Sequence, residues 1–138
     1  MKYPDLTFIA VIDFLTNNAA IMAGTEELYD LSQLTAISRG NELFVKKMVA
    51  IFCGDTPGML QTMMDAYYAG DLEKMGEVAH RIKPSIDNLS ITSIKQTIRD
   101  IEKMGSGDLP VIGLKETLDK VITTINEVIA SLKTKYPA

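Results

Sequence analysis

The sequence predicts an all-α protein, an up-and-down four-helix bundle with one or more additional short helices near the N-terminus. Three observations carry this. Three late segments each show a single apolar stripe recurring at spacings of 3 and 4. No stretch alternates apolar and polar residues as a half-buried strand would. Glycines, prolines and capping residues punctuate the chain at helix-length intervals.

The elements follow in order. Residues 1–27 form an extension read as an extra helix or a segment packed on the main body, and residues 28–138 form the bundle domain. "LTFIAVIDFL" has the apolarity of a signal peptide, but Asp13 interrupts it and only Lys2 precedes it, so export is not expected. "LSQLTAIS" gives a short helical turn ended by Gly40. Asn41 then caps a helix carrying Phe44, Val45, Met48, Ile51 and Phe52, expected to stop at Gly54. Asp55 or Thr56 is expected to cap a new helix with Pro57 in its first turn, where a missing N–H costs little. Its stripe is Leu60, Met63, Met64 and Tyr67. Asp71 caps the next helix, striped by Leu72, Met75, Ala79, Ile82, Ile86 and Leu89. Ser90 is expected to cap the one carrying Ile91, Ile94, Ile98 and Ile101. After a "GSGDLP" loop, Gly105 to Pro110, comes the last stripe of Leu114, Leu118, Val121, Ile125, Ile129 and Leu132. One-sided stripes joined by short connections must be buried against each other, which yields the bundle.

Composition excludes several functions. A net charge of −4 and a pI near 4.9 disfavour nucleic-acid binding, which needs a basic face to displace counterions. No apolar run is long enough to span a bilayer, so no membrane association is expected. The one cysteine, Cys53, sits in an apolar run and reads as a buried thiol in a cytoplasmic protein. No Cys/His cluster announces a metal, no glycine-rich loop followed by lysine cradles a nucleotide, and no Gly-x-Ser-x-Gly elbow is present. Neither a metal nor a cofactor is therefore expected, and the monomer is the simpler expectation because no exposed heptad seam is evident.

The only histidine, His80, lies in "AHRIKPSIDNL". At about 100° per residue, with Leu72 at zero, the stripe of that helix centres near 310° while His80 falls near 80° and Lys83 near 20°. The ring is thus expected to face water, with an ammonium group one turn on, within side-chain reach. Without a second histidine or an activated nucleophile, ordinary acid–base or acyl-transfer catalysis lacks its partners. A neutral imidazole can still accept a phosphoryl group on nitrogen, and a neighbouring cation stabilises the charge that results.

These residues resemble the phosphoacceptor motif of histidine-containing phosphotransfer domains, Ala-His-x-Leu-Lys-Gly-Ser/Ala-small-x-Asn-Leu-Gly. Ala79, His80, Ile82, Lys83, Ser85, Asn88 and Leu89 match it, and "FVKKMVAIFCGDTPGMLQTMMDAYYAGDLEKMGEVAH" upstream is also similar to the family. The likeness covers roughly Leu28 to Leu132. It implies a helical bundle that relays phosphoryl groups in two-component signalling and has no kinase activity of its own. His80 would be the phosphoacceptor and Lys83 the cation that steadies the phosphoryl group. Arg81, Pro84 and Asp87 would contact the partner. The implied partners are the receiver domain of a hybrid sensor histidine kinase and that of a response regulator, whose own site supplies the Mg²⁺.

Three positions depart from the pattern. Pro84 replaces a glycine, Ile86 replaces a small residue and reads as core, and Ser90 replaces the later glycine. Pro84 withholds the N–H that the His80 carbonyl would accept, so a local kink or a water at that carbonyl is expected. A second reading is a bundle that binds receiver domains without accepting phosphate because Pro84 blocks approach. Family members often carry a polar residue on the following helix facing the histidine; Arg99 and Glu102 lie on a suitable flank, and no motif selects between them.

Overall fold

The computed structural model describes residues 28–136; the N-terminal extension and the expectations placed on residues 1–27 lie outside them. The described residues are all-α, with no strand among them. A short helix, α1 (Ser32–Ile37), precedes four longer ones: α2 (Glu42–Tyr68), α3 (Leu72–Asn88), α4 (Lys95–Ser106) and α5 (Leu114–Lys135). A single 3₁₀ turn, Thr92–Ile94, leads into α4. Each long helix packs on its chain neighbours and α5 returns to α2, which closes the four into a bundle.

The predicted break at Gly54 does not occur: α2 runs unbroken for 27 residues through Gly54, Pro57 and Gly58. Its buried positions explain why. Val45, Val49, Phe52, Thr56, Leu60 and Met63 are all buried and, at 100° per residue, fall within about 80° of one another. The stripe keeps its register across the breakers, so continuing the helix buries one face while ending it would not. Pro57 costs one intrahelical bond, to the Cys53 carbonyl. Of the stripe read from sequence, Val45 and Phe52 are buried, whereas Phe44 and Ile51 are exposed.

At the start of α3, the side chain of Asp71 accepts from the Lys74 backbone N–H, as its capping role requires. The expected apolar stripe is buried, with Leu72 packed at its edge and Val78 and Gly76 added. Ser90 does not cap the following helix. It terminates α3 at φ +52°, where its N–H donates to the Asp87 carbonyl and that of Ile91 donates to the Ile86 carbonyl. This paired arrangement is a Schellman ending, whose left-handed position favours glycine. Ile91, Ile94, Ile98 and Ile101 are fully buried as the stripe predicts, although α4 proper begins only at Lys95.

Gly105 belongs to the last turn of α4 and not to the loop that follows. A Cβ there would lie 2.6 Å from the Leu72 carbonyl oxygen and 2.7 Å from the Gly76 Cα, so only glycine allows this approach. The crossing of α3 and α4 is therefore backbone against backbone at one end, with the isoleucine stripe filling the remainder.

Candidate functional site

The α3–α4 seam positions the site. His80 stands on the solvent side of α3 with its side chain 65% exposed, as the helical angle predicts. Across the seam, Glu102 projects from α4, one turn before the Gly105 contact. Its Oε2 lies 2.6 Å from His80 Nδ1, and its Oε1 accepts from Lys83 Nζ at 2.7 Å. One carboxylate thus bridges imidazole and ammonium. Beside it, Glu73, Gly76, Glu77, Arg81 and Gly105 border an open groove of about 740 Å³ that runs up to the ring.

The geometry fixes the protons. Hydrogen bonding from Lys83, followed by that from His80, holds the Glu102 carboxyl below the ordinary value of 4.5 against the opposing pull of burial. An ionised carboxylate only accepts hydrogen bonds, so the proton shared with His80 resides on Nδ1, which donates to Oε2. In the neutral ring the other nitrogen, Nε2, then carries an unshared lone pair facing solvent. The arrangement produces an exposed, oriented nitrogen nucleophile, with a carboxylate behind it to offset positive charge on the ring and an ammonium group one turn away.

The other singled-out residues divide into two groups. Arg81 is exposed beside His80. Pro84 is also exposed, inside a helix that continues to Asn88. Asp87 is engaged across the seam: its Oδ2 accepts from Arg99 Nη2 at 2.7 Å, while its Oδ1 is buried without a partner. Of the two polar residues on the α4 flank, then, Glu102 meets the histidine and Arg99 ties the far end of α3 to α4. The sequence placed both on the right side of α4; the spacing set by Gly76 and Gly105, which decides between them, was not legible. Among the described residues no group of three His, Cys, Asp or Glu side chains is placed to hold a metal ion. No helix among them is long and apolar enough to cross a membrane. No family model, curated protein or solved structure matches the chain.

Proposed function

We propose that the protein is a phosphorelay intermediate that accepts a phosphoryl group on His80 from a receiver-domain aspartate and passes it to a second receiver domain. The observation that supports this most is the exposed His80 ring with its Nδ1 2.6 Å from the Glu102 carboxylate, an arrangement that favours the proton on Nδ1 and leaves Nε2 its lone pair. The resemblance of residues 79–89 to the phosphotransfer motif points the same way.

In this reading Nε2 attacks phosphorus, the N–P bond forms, and the P–O bond to the receiver aspartate breaks with its carboxylate leaving. The ring, still protonated at Nδ1, acquires positive charge, which the Glu102 carboxylate balances at 2.6 Å. Lys83 is near enough in sequence to reach the phosphoryl oxygens, one helical turn from His80. Return transfer reverses these bonds onto another aspartate. The groove beside the ring supplies room for an approaching loop.

The test is transfer from a receiver domain radiolabelled on its aspartate. The expected product carries acid-labile, base-stable label in wild type and none in His80→Gln. Equal labelling of the two variants refutes the proposal. Binding of the receiver without transfer, cured by Pro84→Gly, establishes the non-transferring interaction module in its place.

A further inference from the structure

The four helices are unequal, and the inequality leaves one face open. At 1.5 Å per residue, the 27 residues of α2 span about 40 Å, against about 25 Å for the 17 of α3 and about 18 Å for the 12 of α4. The 22-residue α5 runs beside the N-terminal half of α2. Residues 28–37 close one side of this two-helix overhang: Leu34 is buried, Leu28 and Leu31 pack on the core, and the Asp30 N–H donates to the Leu89 carbonyl at the end of α3. The other side is a groove of about 1130 Å³ between α2 and α5. Its apolar floor includes Cys53 and Leu43, the latter 78% exposed. Its rim carries Lys46, Lys47, Lys133 and Lys135, all exposed, and no carboxylate lines it. None of these four ammonium groups pairs with a carboxylate among the described residues. In a chain of net charge −4 this is a local concentration of positive charge over apolar surface.

We propose that this groove is the docking site for the chain's own residues 5–15. Their chemistry is the complement of the groove's. "DLTFIAVIDFL" combines Leu6, Phe8, Ile9, Val11, Ile12, Phe14 and Leu15 with Asp5 and Asp13, and contains no cation. The entry point agrees: the described chain begins against α5, where Tyr29 Oη lies 3.4 Å from Ser131 Oγ, one turn before the rim lysine Lys135. Docking would cover apolar surface on both partners and bring Asp5 and Asp13 to the lysine rim. It would lengthen the two-helix end into a closed one, and it stands or falls independently of any phosphoryl transfer at His80.

The experiment uses the full chain. Zero-length carbodiimide coupling, with peptide mapping of the monomeric fraction, is expected to join Asp5 or Asp13 to Lys46, Lys47 or Lys133. Ala50→Glu, which adds a carboxylate at an exposed groove position, should reduce that coupling about tenfold, equivalent to 1.4 kcal/mol of docking free energy. As a second readout, Phe8→Glu/Ile12→Glu should raise the alkylation rate of Cys53, the only cysteine, by about tenfold while leaving the helical content of the folded bundle unchanged. Coupling of Asp5 and Asp13 chiefly to Lys74, Lys95 or Lys103 overturns the proposal, as does an unchanged Cys53 rate. Coupling found only in a dimeric fraction also overturns it and assigns the groove to a second copy.

Discussion

The α3–α4 seam and the α2–α5 seam are built from the same kind of amphipathic helix, yet they differ in what they can do. The first is closed at one end by two glycines in backbone contact and filled by four fully buried isoleucines, so its separation and rotation are set within narrow limits. The second diverges into a lysine-rimmed groove, with a glycine, Gly54, whose missing Cβ meets nothing. Precision is found where chemistry needs it. A carboxylate on one helix can hold a particular imidazole nitrogen on another only if the helices cannot slide, and it is the tight seam that carries His80 and Glu102. The loose seam offers surface, and the glycine lining it, Gly54, contributes neither a turn nor a close contact.

That contrast can be broken by substitution. Ile101→Ala, in the tight seam, should cost about 2–5 kcal/mol in urea unfolding, the range for emptying a fully buried aliphatic site, whereas Leu43→Ala should stay within about 0.5 kcal/mol. A cost for Ile101→Ala as small as that for Leu43→Ala would mean the seam is not tightly packed. The glycines give the same contrast with opposite signs. Gly105→Ala forces backbone apart and should destabilise by about 1–3 kcal/mol. Gly54→Ala, in an exposed helix interior with open space around it, should stabilise by about 0.5–1 kcal/mol. Two changes of the same sign would erase the distinction.

Ser90→Gly sharpens the picture at the end of α3. A side chain at φ +52° bears a left-handed strain of about 1–2 kcal/mol that glycine lacks, so thermal unfolding should shift upward by about 1 kcal/mol of stability. The smallest effect is that of pH on the bridging carboxylate. The carboxyl of Glu102 lies below its ordinary 4.5 in the folded chain, so its contribution is fully present above about that pH and is lost as pH falls through the lower folded value. The stability difference between wild type and Glu102→Gln should therefore shrink on acidification below 4.5, by less than about 1 kcal/mol given the partial exposure of the group. A difference that grows on acidification contradicts the ion-pair assignment.

How much of this was written in the chain varies by element. The helices α3 and α5 could be read directly, because their stripes are narrow and bounded by capping or turn residues. The exposure of His80 followed from its angle alone. The continuity of α2 could not be read by counting breakers: Gly54, Pro57 and Gly58 are local signals, and the register of Val45 through Met63 that overrides them becomes decisive only once the face is buried. Ser90 was misassigned for a related reason. Serine favours helix starts by propensity, and here the Ile86–Ile91 backbone bond places it at a helix end. Glu102 remained one of two candidates because both residues share the α3-facing flank and the choice depends on the register of α4 along α3. The contact of Gly76 with Gly105, residues 29 positions apart, one of which reads locally as loop, holds that register.

Phosphoryl acceptance at His80 depends most on which imidazole nitrogen carries the proton. Long-range proton–nitrogen correlation NMR of the uniformly labelled protein near neutral pH resolves this without assignment ambiguity, since the chain has one histidine. A protonated, pyrrole-type Nδ1 and a pyridine-type Nε2, reverting in Glu102→Gln toward the mixture seen in free histidine, is the predicted result. A proton on Nε2 in wild type, or a spectrum indifferent to Glu102, would contradict it.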